Sequence, residues 1–97
     1  MAARIEVEQL KAGEYRVRVI EGRSETSHLV TLQPGDHQRL AGGKAEPEQL
    51  VKRSFEFLLE REPKESILAR FDLPVIARYF PDYEQEIRHR LSAKSGD

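Results

Sequence analysis

A serine, an aspartate and two histidines come closest to a catalytic or metal-binding group: Ser27, His28, Asp36 and His37. Catalysis of the Ser-His-Asp kind needs its three groups in hydrogen-bond contact, and a metal ion needs three or four converging ligands. The spacing of these residues enforces neither arrangement. His28 falls on the apolar positions of a strand pattern and is expected to be half-buried, whereas His37 is expected in solvent and His89 belongs to another region. We therefore predict no catalytic residue, no tight metal site and no cofactor.

A run of glutamates in the middle of the chain could supply the paired carboxylates of acid–base catalysis. Basic residues are interleaved with it. The acidic residues are Glu56, Glu60, Glu62 and Glu65, and the basic residues are Lys52, Arg53, Arg61 and Lys64. Opposite charges three or four positions apart on a helix form local ion pairs, so an ion-paired, solvated surface is the better interpretation. The segment Gly42-Gly43-Lys44 lacks the preceding strand and the following Ser or Thr of a phosphate-binding loop. The sequence therefore predicts that the protein is not an enzyme.

Residues 64–80 read as helix, tight turn, helix, which suggests a helix-turn-helix DNA-binding regulator as an alternative function. Placing Asp72 at the turn puts Arg78 where this motif usually has an aliphatic residue. Residues 64–91 hold five basic and five acidic residues, so they present no basic face. Because DNA affinity depends on cations that neutralise phosphates, we expect no appreciable DNA binding at physiological salt.

The composition is that of a small chain with balanced charges. Its 97 residues fit one domain, and 38% hydrophobic with 34% charged residues allow one modest core. The net charge of −1, from 16 basic and 17 acidic side chains, gives no attraction to nucleic acid or anionic lipid. Secreted domains of this size often need disulfides, and this chain has no cysteine, so a cytoplasmic location is expected. No window approaches the ~18 apolar residues of a membrane span.

The N-terminal half alternates apolar and polar residues, which is the period of a half-buried strand. The predicted strands are residues 4–9, 14–20 and 26–32. Their short connections favour an antiparallel meander. In that arrangement Arg16 and Arg18 should lie in solvent beside Glu6 and Glu8, where opposite charges on neighbouring strands stabilise the sheet modestly.

The C-terminal half shows helical periodicity instead. The predicted helices are residues 47–60, 64–71 and 73–91. The second should carry Ile67, Leu68 and Phe71 inward, and Pro81 should kink or split the third near Tyr79. Residues 36–40 could add one helical turn to the connector, and residues 92–97 should form a flexible polar tail. The predicted fold class is therefore α+β, a three-stranded antiparallel β-meander followed by three or four helices.

Apolar residues cover about 200° of helix 47–60, about twice the stripe of a simple surface helix. If the sheet and the later helices leave part of this arc open, Phe57 and Leu59 at its two edges would form an association site. Tyr79 and Tyr83 on the last helix would flank a notch at the proline between them. We therefore predict binding of a protein partner, or homodimer formation, through these four side chains. Ordinary core positions are the competing interpretation.

Three short segments carry a resemblance to other proteins: SFEFLLEREP at residues 54–63, SIL at 66–68 and FPDY at 80–83. They resemble a group of small uncharacterised bacterial proteins, and the similarity covers most of residues 13–87. The resemblance implies a bacterial, cytoplasmic single domain. No activity is attached to that group, so it supplies no catalytic residue.

Overall fold

The computed structural model describes residues 3–95, and the side chains of residues 3–91. Within this part of the chain, three strands come first, and the helices follow with one short strand among them. In chain order the elements are β1 (Arg4–Lys11), β2 (Glu14–Glu21), β3 (Ser24–Thr31), α1 (Pro34–Ala41), α2 (Pro47–Leu59), a 3₁₀ turn (Lys64–Ser66), β4 (Arg70–Asp72), a second 3₁₀ turn (Leu73–Val75), α3 (Ile76–Tyr79) and α4 (Tyr83–Ser95). The predicted α+β class, a three-stranded meander followed by helices, is confirmed.

The sheet has the strand order β1-β2-β3-β4, with β1 to β3 antiparallel and β4 parallel to β3. The predicted charge pairs are confirmed on its outer face, because Glu6 lies opposite Arg18 and Glu8 lies opposite Arg16. Arg18 Nη1 is 2.8 Å from Glu6 Oε1. The turn between β1 and β2 requires Gly13, whose φ is 78° and whose Cα faces a backbone carbonyl oxygen that an added Cβ would approach to 3.1 Å.

The core lies between the inner face of the sheet and α2. Phe55 of α2 stacks against β3 and β4, with ring centroids 5.3 Å from His28 and 6.0 Å from Phe71. On another side α2 contacts α4, where the Tyr83 hydroxyl lies 2.6 Å from Ser54 Oγ. The wide apolar arc of this helix is thus covered from two directions, as its width requires. Among the described residues, no helix is long and apolar enough to cross a membrane.

The helix predicted over residues 64–71 does not form, and this prediction was wrong. The segment is a 3₁₀ turn followed by an extended stretch that ends in β4. The amide of Leu29 donates to Ala69 O at 2.8 Å, so β3 supplies hydrogen bonds that a local helix would otherwise supply. Phe71 lies beside Val30 on the inner face of the sheet and is buried there. Long-range pairing overrides a local periodicity of only three apolar residues.

The helix predicted over residues 73–91 is split near Tyr79, which is the second of the two outcomes predicted for Pro81. α3 ends at Tyr79, and Phe80 takes an extended backbone with φ −132° and ψ 91°. Pro81 explains the break, since proline disfavours a helical conformation at the residue before it and has no amide to donate. α4 then begins at Tyr83 and continues to Ser95. The predicted tail 92–97 therefore begins inside this helix, and residues 96–97 lie outside the described residues.

Candidate functional site

The four residues that could have formed a catalytic or metal group do not converge. Ser27 is exposed on the outer face of β3, whereas His28 is buried on the inner face. The imidazole of His28 binds Leu68 O through Nδ1, and that of His37 binds a backbone carbonyl through Nε2. Asp36 pairs with an arginine of its own helix. In the part of the chain that the structure describes, no group of three or more His, Asp or Glu side chains could hold a metal ion.

Three of the four glutamates considered for acid–base chemistry, Glu56, Glu60 and Glu65, are engaged in ion pairs. Arg90 Nη2 lies 2.6 Å from Glu60 Oε1, and Lys64 Nζ lies 2.7 Å from Glu65 Oε2. The hydrogen bond from Arg90 holds the pKa of the Glu60 carboxyl below its usual value, and the Lys64 ammonium does the same for Glu65. A lowered pKa keeps these carboxyls ionised, which is the opposite of what a general acid needs.

Residues 64–80 also lack the geometry of a helix-turn-helix. A DNA reader of that type needs two adjoining helices, the second long enough to lie in the major groove. Here a strand occupies residues 70–72, and α3 is only four residues long. The helix-turn-helix interpretation was therefore wrong.

The four side chains predicted to bind a partner lie in different environments. Phe57 and Tyr83 are fully buried in the core, with ring centroids 5.3 Å apart. The guanidinium of Arg61 covers the Phe57 ring at 3.7 Å from its centroid. Leu59 is half-buried at the edge of the core. Tyr79 is 64% exposed and lies on a groove. Of the four, Tyr79 is thus the side chain most available to a partner.

The groove runs between α3 and the extended segment that leads into β4, and its volume is about 140 Å³. Its lining is mostly apolar: Leu58, Ile67, Leu68, Phe71, Val75, Ile76, Tyr79 and Phe80, together with the polar side chains of Glu62 and Ser66. We call it the α3–β4 groove. It is open to solvent along one side, so an apolar group of a partner can enter it.

Each wall of the groove is held by a different part of the fold. Leu58 projects from the end of α2 and is 5% exposed, which anchors one wall in the core. Phe71 occupies the inner side of β4 through its pairing with β3. The rim at Leu68 is fixed by the 2.8 Å hydrogen bond from His28. The groove therefore depends on the sheet as much as on the helices.

The rim of the groove carries exposed apolar side chains. Leu68 is 47% exposed and Tyr79 is 64% exposed, and both line the groove. The remaining large apolar side chain that is exposed among the described residues, Leu10, lies on β1 at the opposite edge of the sheet. Sequence reasoning missed Leu68 because it assigned Ile67 and Leu68 together to the buried face of a helix. Adjacent residues of an extended segment point to opposite sides, so one of the two had to be exposed.

Beside the groove, β4 forms a free edge of the sheet. No described strand pairs with its outer side. Arg70 is exposed and forms no ion pair among the described residues, whereas Asp72 Oδ1 accepts a 2.6 Å hydrogen bond from Thr31 Oγ1 on the outer face. An unpaired edge next to an apolar groove is a combination on which other chains can dock.

Comparisons with protein-family models, with curated proteins and with solved structures gave no match to this chain. The resemblance to small bacterial proteins therefore remains a prediction.

Proposed function

We propose that this protein is a non-enzymatic protein-interaction module, and that its binding surface is the α3–β4 groove with the adjoining edge of β4. One observation carries the proposal. Leu68 and Tyr79, two apolar side chains that are about half exposed or more, flank the same groove. Single exposed apolar residues are ordinary on protein surfaces, whereas two of them around one apolar depression support the proposal of a contact site.

The size of the groove suits one side chain of a partner. A cavity of this volume holds a group about as large as a benzene ring. Burying a Leu or Phe side chain there would contribute roughly 1.5–3 kcal/mol, before the cost of association is subtracted. The groove alone therefore supports weak binding, and hydrogen bonds from the β4 edge would have to add to it.

The lining of the groove also favours binding over catalysis. Among the described residues that line it, Ser66 is the one with an aliphatic hydroxyl, and none is a histidine. A serine needs an adjacent base to become a nucleophile. Glu62 is the one carboxylate in this described lining, so the described residues supply no carboxylate pair for acid–base catalysis there.

A selection from displayed random peptides of about a dozen residues tests this function. The immobilised wild-type protein should enrich peptides that share a large apolar residue, and Leu68→Ser or Tyr79→Ser should weaken their binding by about tenfold or more, since aromatic anchors carry much of the energy of an interface. Leu10→Ser is the matched control, because it removes an exposed apolar side chain from the opposite edge of the sheet. Enrichment of nothing, or of peptides insensitive to both groove variants, would refute the proposal.

A further inference from the structure

We infer that a second copy of this chain occupies the surface, with the two β4 strands paired antiparallel about a two-fold axis that passes through Phe71. The inference rests on the proposed function and names its partner. Two-fold dimers with the same patch on both subunits are the commonest protein assemblies, and they require a surface that complements itself. β4 meets this requirement in its backbone and in its charges.

The backbone groups of β4 that face away from β3 belong to Arg70 and Asp72. The bond from the Leu29 amide to Ala69 O shows which carbonyl of this segment points toward β3. Hydrogen-bonding groups alternate in direction along a strand, so those of Ala69 and Phe71 face β3 and those of the two residues flanking Phe71 face the free edge. An antiparallel partner centred on Phe71 then exchanges backbone hydrogen bonds at both flanking positions.

The same register brings opposite charges together. Arg70 lies opposite Asp72 of the second copy, and Asp72 lies opposite Arg70 of the second copy, so two ion pairs form on the outer face. The Thr31 hydroxyl holds Asp72 on that face at 2.6 Å, while Arg70 is exposed without an ion pair among the described residues. On the inner face Phe71 would meet its own counterpart as a pair without hydrogen bonds, where side chains come closest.

At the other edge of the sheet, two ways of pairing β1 with a second copy of itself bring like charges together. A β1 strand paired with itself about Val7 would place Glu6 against Glu8, and pairing about Glu6 would place two copies of that glutamate in contact. Like charges directly opposite each other destabilise a strand pair, which is one way that proteins protect an edge from association. Pairing of β1 about Ile5 would place Arg4 against Glu6, so charge disfavours some registers of β1 and not all of them. In β4, which is three residues long, the register centred on its middle residue joins opposite charges at both flanking positions.

The dimer should be weak. β4 is three residues long, and Leu68 and Tyr79 beside it add roughly 200 Å² of exposed side-chain surface. A stable dimer usually buries about 800 Å² on each subunit. Association should therefore depend on concentration in the micromolar range or above.

Charge exchange at the two flanking positions tests the pairing. In sedimentation experiments over a concentration series, wild-type protein should dimerise, whereas Arg70→Asp and Asp72→Arg alone should each weaken the dimer by tenfold or more. An equimolar mixture of these two variants should form a heterodimer, because one edge is then acidic and the other basic. The double variant should regain self-association.

Thr31→Val is the control for loss of the bond to Asp72, and circular dichroism checks that every variant is folded.

Hydrogen exchange locates the contact. The amide of Arg70 should be protected at high protein concentration and should exchange faster on dilution. A wild type that stays monomeric at all concentrations, or single variants that dimerise as the wild type does, would overturn the inference. In that case, peptides selected through Leu68 and Tyr79 would leave the proposed function standing, and failure of both experiments would remove both.

Discussion

Nδ1 of His28 and the carbonyl oxygen of Leu68 are joined by a 2.8 Å hydrogen bond between residues forty positions apart. Because a carbonyl oxygen only accepts, Nδ1 carries the hydrogen. Nε2 lies 2.8 Å from Thr26 Oγ1, so in the neutral ring it accepts from that hydroxyl. His28, a catalytic candidate in the sequence analysis, instead holds the rim of the groove at Leu68 against β3.

Replacing His28 should destabilise the protein and loosen that rim. We expect His28→Leu to lower the free energy of unfolding by about 1–3 kcal/mol, because Leu68 O loses its donor in a partly buried site. Amides of residues 66–69 should also exchange faster with solvent. Ser27→Ala, on the exposed face of the same strand, is the control and should change the stability by less than about 0.5 kcal/mol. Equal stability of His28→Leu and the wild type in urea melts would contradict this role.

Truncation of Leu58 should show that α2 is central to the core. Leu58 is 5% exposed, so Leu58→Ala should lower the free energy of unfolding by about 2–5 kcal/mol, through lost burial and the cavity that remains. Leu10→Ala is the matched control, since Leu10 is 37% exposed and leaves no cavity. Denaturant melts of both variants measure the two changes in the free energy of unfolding. A loss below about 1 kcal/mol for Leu58→Ala would mean that this position is not a core position.

The buried Tyr83 hydroxyl should make the stability fall at alkaline pH. Ser54 Oγ donates its single hydrogen to Leu50 O, so the Tyr83 hydroxyl is the donor in the 2.6 Å bond to Ser54. Burial raises the pKa of Tyr83 above its usual value near 10. The native state therefore keeps this proton at a pH where the unfolded chain has lost it, and stability decreases as the pH rises above about 10.

Tyr83→Phe should remove that dependence. At neutral pH the variant should lose about 1 kcal/mol, the usual contribution of one hydrogen bond. Above about pH 10 its free energy of unfolding should fall less steeply than that of the wild type, as measured by urea melts at a series of pH values. Tyr79→Phe removes an exposed hydroxyl and should leave the pH dependence unchanged. Parallel curves for the wild type and Tyr83→Phe would show that Tyr83 ionises normally in the folded protein.

The sequence by itself determined the meander and the central helix. Alternation in β1 to β3 assigns one face of each strand to the core, and short turns leave only antiparallel neighbours. The pairing of Glu6 with Arg18 follows from that register and is present. Pro47 marks the start of α2 in both the pattern and the structure, since the first turn of a helix needs no donor there.

Only the tertiary structure decided residues 64–72 and the surface that they form. Three apolar residues at helical spacing could not reveal that β3 had an open edge, and the hydrogen bonds that make β4 come from residues forty positions earlier in the chain. The same holds for Phe57 and Tyr83, which are buried because α4 packs against α2. A local pattern shows which side chains are apolar. Contacts between distant segments decide which element covers those side chains and which edge of the sheet stays unpaired.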